Sequence, residues 1–155
     1  MVIREPEQHE IPELYEILSQ YPSSFWDEIG EAGFVRWFNE NAQYPLVGVE
    51  HGQILAFAYL DYVSKGHYAN VVFAKRKGIN YVQLLNAIRE AGLPYYFDEL
   101  DIVKLTATAP VGHTASVHFL NNVGFTLDGI LKKHAKINGV WHDYHLFSYL
   151  REDLK

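Results

Sequence analysis

Cysteine is absent from this chain of 155 residues. Its absence excludes a disulfide framework, a thiolate metal site and a cysteine nucleophile. Long apolar runs are missing too, since no stretch of the sequence is long enough to cross a bilayer and the first residues lack the apolar segment of a signal peptide. We therefore expect a cytoplasmic protein that is not embedded in a membrane.

Positive charge is in deficit, with 13 Lys and Arg against 19 Asp and Glu, for a net charge of -6. Nucleic-acid binding needs clustered Lys and Arg to contact phosphates, so nucleic acid is not an expected partner. Hydrophobic residues make up 48% of the chain and aromatic residues 15%, a composition that argues against disorder. The length fits one domain with a substantial core over residues 1–155.

Hydrophobic periodicity and turn residues predict the order β-α-α-β-β-β-α-β-α-β-β. The predicted elements are a strand at 2–4, a helix at Glu7–Tyr21, a helical region at Ser24–Asn41 weakened by Gly30 and Gly33, strands at Tyr44–Val49, Gln53–Val63 and His67–Phe73, a helix at Tyr81–Ala91 ended by Gly92 and Pro94, a strand at Asp101–Thr108, and a hairpin of Ile130–Ile137 and Trp141–Leu150 around Asn138-Gly139. The predicted fold class is therefore α+β, with helices covering a largely antiparallel sheet.

The stretch at residues 104–131, KLTATAPVGHTASVHFLNNVGFTLDGIL, organises the rest of the chain. It begins with an alternating strand pattern that Pro110 and Gly112 interrupt. A helical pattern follows, and Gly124 stands where a helix end favours a residue with positive φ. The stretch therefore predicts a strand, a break, a helix, a glycine stop and a second strand.

This stretch resembles the second half of the GNAT N-acetyltransferases, in particular the branch that acetylates protein N-termini such as those of ribosomal proteins. Members carry an asparagine, a serine or alanine three positions later, and a glycine-phenylalanine pair at the helix end. Here Ser116 and Gly124-Phe125 fall on those positions, whereas His113 replaces the asparagine. Asp128-Gly129 and the run at 138–143 are also similar to that branch.

The resemblance implies a GNAT-like single domain, with a mostly antiparallel mixed sheet of about seven strands flanked by helices and splayed between strands 4 and 5. It also implies that acetyl-CoA is the co-substrate and that its pantetheine arm enters the gap between those strands. The acetyl group would pass to a primary amine on a protein N-terminus, a peptide or a small molecule. The backbone of Val72, Phe73 and Ala74 would then pair with the pantetheine arm.

A cationic loop before the helix predicted at Tyr81 is a second candidate binding element. Lys75, Arg76 and Lys77 precede Gly78 and Ile79, and Asn80 can cap the helix. A helix N-terminus with free amides and added cations suits a diphosphate, although a solvated basic turn would show the same pattern.

The GNAT family pattern in this loop is glutamine or arginine, two residues, glycine, one residue, then glycine or alanine. Lys75, Gly78 and Asn80 fall on those three positions, so only the middle glycine is kept. Asn80 places a side chain where the backbone has to approach the cofactor closely.

Amine acetylation needs a base for the amine proton, donors for the oxyanion and an acid for the leaving thiolate. The strand predicted at His67–Phe73 has no carboxylate, which leaves His67 to titrate or Asn70 to orient a water. The position at which many members carry an acid tyrosine holds Leu120, so Ser116 is the nearest hydroxyl to the thiolate. His113 has three interpretations: a contact of the pantetheine arm, a base, or an exposed histidine at a helix start.

Other polar residues are assigned no catalytic role. Asp143 and Tyr144 are interpreted as strand surface, and no histidine spacing resembles a metal-ligand set. In the GNAT fold the segment Tyr21 to Trp26 borders the acceptor, so it could line an acceptor pocket, but we favour the interpretation that its aromatic residues are core.

Two hypotheses follow from the sequence. The first is an acetyl-CoA-dependent N-acetyltransferase with an amine acceptor. The second is a catalytically inactive protein of the same fold that binds or assembles with a protein partner, as in small phage-encoded relatives, some of which are linked to head assembly. The sequence leaves a monomer and a homodimer equally open.

Overall fold

The structure, a computed structural model, describes residues 1–21 and 24–154, and the side chains of residues 24–28 lie outside the description. The strands are β1 (Val2–Arg4), β2 (Gln43–Glu50), β3 (Gln53–Ser64), β4 (Tyr68–Lys75), β5 (Lys104–Pro110), β6 (Thr126–Ile137) and β7 (Val140–Leu150). The α-helices are α1 (Ile11–Leu18), α2 (Ser24–Asn41), α3 (Tyr81–Ala87), α4 (Leu93–Leu100) and α5 (Thr114–Val123). None of the helices in the described residues combines the length and apolarity needed to cross a membrane.

The seven strands form one sheet in the order β1-β2-β3-β4-β5-β7-β6. Neighbouring strands pair antiparallel, except that β4 and β5 pair in parallel. This arrangement confirms the predicted α+β class and the predicted mixed, mostly antiparallel sheet. The single parallel pair lies in the middle of the sheet.

Two apolar clusters bury the two faces of the sheet. On one face Phe34 and Phe38 of α2 pack with Phe57 and Tyr59 of β3, together with the buried side of α1. On the other face α3, α4 and α5 cover strands β3, β4, β5 and β7. Because successive strand residues point to opposite faces, β2, β3 and β4 contribute to both clusters, whereas β5 and β7 contribute only to the cluster under α3, α4 and α5.

The helix predicted at Tyr81–Ala91 does not end at Gly92, so that prediction is wrong. A π-helical turn at Ile88–Gly92 links α3 directly to α4. Pro94 lies in the first turn of α4, where a proline ring is tolerated. Burial of Leu93, Tyr96, Phe97 and Leu100 against the sheet outweighs the local stop signals. Asp101, with φ 49°, ends α4, which is why β5 begins at Lys104 rather than Asp101.

Two turns have the conformations that the sequence predicts. Asn138 and Gly139 take φ values of 50° and 80° between β6 and β7, as a two-residue hairpin turn requires. Gly124 ends α5 with φ 118°, and a Cβ there would lie 3.1 Å from the Tyr149 ring. Gly124 therefore sets the direction in which the chain leaves α5 and enters β6.

Candidate functional site

A fork between β4 and β5 forms the main cleft of the described residues. The two strands pair only at Tyr68–Lys104, Ala69–Leu105 and Asn70–Thr106. Beyond Asn70 they separate, so residues 71–75 of β4 keep β3 on one edge and have no strand partner on the other edge within the described chain. The splay implied by the family resemblance is therefore present, and it leaves backbone amides and carbonyls of β4 facing a cleft of about 440 Å³.

The cleft brings together several residues that the sequence analysis selected. Its walls come from five parts of the chain, namely Leu18 and Tyr21, Val71 to Lys75, Ala107 and Thr108, His113 with the α5 residues Ala115, Ser116, Phe119 and Leu120, and Tyr144 of β7. Val72, Phe73, Ala74, Lys75, His113 and Ser116 are thus gathered around one space. Asn70 lies at the closed end of the fork, below the cleft.

The three cations of the loop have different surroundings. Arg76 is committed to the protein: its Nη2 lies 2.9 Å from Glu13 Oε1, its Nε donates to the Ile54 carbonyl at 2.7 Å, and its side chain is only 15% exposed. Lys75 and Lys77 each lie 5.3 Å above an aromatic ring, that of Tyr81 and of Tyr21 respectively. Lys75 and Lys77 are therefore the loop cations left to meet an anion.

The amides at the start of α3 are divided between two uses. The Asn80 side chain caps the helix as predicted, accepting from the Val82 amide at 3.1 Å and the Gln83 amide at 3.3 Å. The amides of Gly78, Ile79 and Asn80 itself have no acceptor within the described residues. Gly78 takes φ 78° and has open space around it. The loop therefore keeps the amides of Gly78, Ile79 and Asn80 available to an anion, while the side chain of Asn80 occupies those of Val82 and Gln83.

The start of α5 holds a polar pair at the wall of the cleft. His113 is the N-cap residue, but its side chain does not cap the helix. Instead its Nδ1 lies 2.6 Å from Ser116 Oγ, within hydrogen-bond distance. The serine and histidine that the sequence selected separately therefore form one hydrogen-bonded unit.

Tyr144 is a cleft residue that the sequence analysis assigned to a strand surface. Strand β7 pairs with β5 so that Tyr144 stands opposite Pro110, and its ring enters the cleft. Burial raises the pKa of its phenol. The hairpin turn at Asn138-Gly139 fixes only the pairing of β6 with β7, so no local signal in the sequence places Tyr144 beside the end of β5.

A half-buried carboxylate at the closed end of the fork was also missed. The Asn70 amide donates to Asp61 Oδ1 at 2.7 Å, and its oxygen accepts from Thr106 Oγ1 at 2.9 Å. Burial raises the pKa of Asp61, and the bond from Asn70 opposes that shift. The available signal was compositional, because Asp61 is the charged residue in the otherwise uncharged run at residues 54–63.

The segment predicted to border the acceptor is only partly described. Tyr21 lines the cleft, and its hydroxyl donates to the Lys75 carbonyl. Pro22 and Ser23, and the side chains of residues 24–26, lie outside the described residues. Their contribution to an acceptor pocket stays a prediction.

Comparisons with known proteins agree with this geometry. The family described as "Acetyltransferase (GNAT) domain" matches residues 32–146. Probable N-acetyltransferase YjcK of Bacillus subtilis (strain 168) is 36% identical over 59 residues, which are 38% of this chain and 33% of that protein. The match to this curated relative therefore spans a third of the relative's own length.

Two solved structures share the fold. A mutant of spermidine N-acetyltransferase SpeG from Vibrio cholerae has a TM-score of 0.78 at 20% identity, covering 99% of this chain and 97% of that one. The ribosomal-protein-S5-alanine acetyltransferase from Vibrio fischeri has a TM-score of 0.76 at 17% identity, covering 99% of this chain and 94% of that one. With a forked sheet of this topology and a family match over residues 32–146, the chain belongs to the GNAT acetyltransferase family.

Proposed function

We propose that this protein transfers the acetyl group of acetyl-CoA, the donor used by its family, to a primary amine on a protein N-terminus, a peptide or a small molecule. The observation that carries the proposal is the unpaired edge of β4 beside an open cleft. That edge leads from the closed end of the fork to a loop with three free amides and two available lysines. The names of the similar proteins support amine acetylation as the reaction class.

The donor fits the described residues in two places. The backbone of Val72, Phe73 and Ala74 would hold the pantetheine arm, because an unpaired strand edge offers donors and acceptors to an extended chain that carries amides. The amides of Gly78, Ile79 and Asn80, with Lys75 and Lys77, would hold the diphosphate. Arg76 would stabilise the conformation of the loop through its contacts with α1 and β3 and would not bind the phosphates.

The His113–Ser116 pair is suited to the leaving group. As the thioester C–S bond breaks, the Ser116 hydroxyl would donate its proton to the departing thiolate and His113 would resupply that proton. Leu120 offers no hydroxyl at the position where many family members carry a tyrosine. Tyr144 would add a second hydroxyl donor from the opposite wall of the cleft.

A second function is favoured by one observation. The Asn80 side chain accepts hydrogen bonds from the Val82 and Gln83 amides, so two of the N–H donors at the helix start are not available to a phosphate. A member of this family that no longer binds acetyl-CoA would keep the fold and act as a binding or assembly protein. This is the alternative that the sequence analysis compared with small phage-encoded relatives. A cytoplasmic location, a single domain over residues 1–155, and a monomer or homodimer stay predictions.

Thermal melting with millimolar acetyl-CoA, combined with thiol release over a panel of amines, separates the two functions. Acetyl-CoA that binds the native state raises the midpoint. The Lys75→Ala/Lys77→Ala double variant should lose most of that rise, whereas Lys132→Ala, an exposed lysine of β6, should keep it. Absence of both a midpoint rise and thiol release in the wild type would favour the binding protein.

A further inference from the structure

The carboxylate of Asp61 lies at the closed end of the fork, held by a chain of hydrogen bonds that crosses three strands. These hydrogen bonds link Asp61 on β3 to Asn70 on β4, and Asn70 to Thr106 on β5. Asn70 and Thr106 are also the last residues through which β4 and β5 pair. Asp61 is half-buried and forms no ion pair with the described residues.

The face of the sheet that carries Asp61 also lines the cleft. Val72 follows Asn70 by two positions and Thr108 follows Thr106 by two, and both are cleft residues. Because strand side chains alternate between faces, Asn70 and Thr106 share the face of Val72 and Thr108. Asp61 stands opposite Asn70 in the β3–β4 register and bonds to its side chain, so its carboxylate is on the same face, one residue pair below the cleft.

The position along the cleft identifies what the carboxylate would meet. With the diphosphate at the loop that follows Lys75, the donor's arm would run down β4 and its thioester would lie nearest the closed end of the fork. An acceptor amine has to reach that thioester. At neutral pH a primary amine arrives as an ammonium ion, for which a carboxylate without a cationic partner is the matching group.

We propose that Asp61 receives the acceptor amine as an ammonium ion and takes its proton, and that Asn70 and Thr106 are positioning residues which hold the carboxylate in place. This inference rests on the proposed function. The proton moves from the ammonium nitrogen to Asp61, the freed nitrogen attacks the thioester carbon, and an N–C bond forms as the C–S bond breaks. The second proton of the attacking nitrogen leaves to solvent as the tetrahedral adduct collapses. The thiolate is protonated from the His113–Ser116 pair, which regains a proton from solvent, and Asp61 releases its proton to solvent.

Two titratable side chains of the described residues flank this network on its own strands. Tyr59, two residues before Asp61 on β3, carries a phenol whose pKa is raised by burial and further by the Asp61 charge. Lys104, two residues before Thr106 on β5, is drawn over the Tyr68 ring at 5.9 Å. Neither forms a salt bridge with Asp61, so the carboxylate is open to an incoming cation.

The test measures kcat/KM for the best amine of the panel between pH 6 and 10 in the wild type, Asp61→Asn and the exposed-carboxylate control Asp128→Asn. Loss of a general base costs about 100-fold or more, so we expect a loss of that order for Asp61→Asn at pH 7. The loss should shrink as the pH approaches the pKa of the amine, because the amine then arrives already deprotonated. The midpoint rise with acetyl-CoA should match the wild type, and Asp128→Asn should behave as the wild type throughout.

Two further variants report on positioning. Asn70→Leu removes the bond that stabilises the charged form of Asp61, so the acidic limb of the pH profile should move to higher pH. Thr106→Val, which keeps both Asp61 and Asn70, should produce a smaller shift in the same direction. These variants also provide a measurement if Asp61→Asn does not fold.

The outcomes separate this inference from the proposed function. An active wild type together with an Asp61→Asn variant that is equally active, or impaired equally at every pH, would overturn the inference and leave the acetyltransferase function in place. A wild type that neither binds acetyl-CoA nor releases thiol would remove both. If the acidic limb of the pH profile of kcat/KM stayed at the wild-type pH in both Asn70→Leu and Thr106→Val, only the positioning roles of Asn70 and Thr106 would be overturned.

Discussion

The open and closed ends of the cleft differ in how their polar groups are partnered. At the closed end Asp61, Asn70 and Thr106 satisfy one another across three strands and leave one carboxylate without a cation. At the open end Arg76 is paired internally, while Lys75, Lys77 and the amides of Gly78, Ile79 and Asn80 have no anionic partner among the described residues. The molecule thus presents positive groups where a diphosphate would enter and negative charge where an amine would react. This polarity suits a donor that carries negative charge at one end and an acceptor that carries positive charge.

The wall shared by the two ends is the most sensitive place to disturb this arrangement. Phe119 of α5 is buried and packs its ring edge-to-face against Phe73, at a centroid distance of 5.4 Å, and against Tyr81, at 5.7 Å. We expect Phe119→Ala to lower the free energy of unfolding by about 3–4 kcal/mol, as for other buried aromatic residues. Urea unfolding measures this change. Phe119→Leu, which keeps most of the volume, should cost about 1 kcal/mol, and equal costs for the two variants would show that the wall is not packed as described.

Substitutions of the neighbouring residues Arg76 and Lys77 should have different effects, one on the free energy of unfolding and the other on acetyl-CoA binding. Arg76→Ala leaves Glu13 and the Ile54 carbonyl without their donor, so we expect a loss of about 2 kcal/mol in unfolding free energy. Lys77→Ala should leave stability within about 0.5 kcal/mol and should weaken acetyl-CoA binding, more so at low salt. Urea unfolding and calorimetry provide the two readouts. The reverse pattern would place Arg76, not Lys77, at the phosphates.

Asn80 sharpens the contrast because it competes with a ligand for the same helix start. Asn80→Ala should cost about 1 kcal/mol of stability through the lost cap, and Asn80→Gly only a few tenths. Both variants free the Val82 and Gln83 amides, so both should bind acetyl-CoA more tightly than the wild type. Asn80→Asp keeps the cap and adds negative charge, so its affinity should fall. If the three variants bound acetyl-CoA equally, the diphosphate would lie elsewhere.

Asp61 supplies the smallest expected change in stability. Burial raises its pKa in the folded state, so the folded protein holds the proton more tightly than the unfolded chain does. The charged carboxylate therefore lowers stability once the pH exceeds the folded pKa, and this cost is absent below the ordinary value of 3.8. Asp61→Asn should melt slightly above the wild type at pH 7 and at the same temperature near pH 3. A melting point below that of the wild type at pH 7 would contradict this assignment.

Local signals predicted the elements that depend on local chemistry. Gly124 marked the end of α5, Asn138-Gly139 marked the hairpin, and Asn80 marked the start of α3, each because a backbone angle or an unpaired amide requires that residue type. The run from Gly92 to Pro94 was misleading, because burial of the α4 face outweighed local stop signals. Tertiary packing of this kind leaves no short-range trace in the chain.

Site residues that are close in sequence were easier to identify than those brought together by the sheet. The residues of the loop at 75–80 are consecutive in the sequence. His113 and Ser116 are also close in sequence, one helical turn apart. Asp61 meets Asn70 across the β3–β4 register, and Tyr144 reaches the cleft through the β5–β7 register. Both pairings are set by strand alignment, which periodicity alone does not determine, and an irregular step in β3 separates Asp61 from the turn that follows it.

The fastening of α1 to the loop after β4 has a thermodynamic consequence. Glu13 holds Arg76, Gln20 accepts from the Lys77 amide, and Tyr21 donates to the Lys75 carbonyl. One set of contacts therefore joins the start of the segment that we predict borders the acceptor with the segment that would hold the nucleotide. If nucleotide binding alters these contacts and so changes the affinity for acceptor, acceptor must change the affinity for nucleotide by the same factor. Cooperativity between the two substrates would then depend on side chains that take no part in bond making.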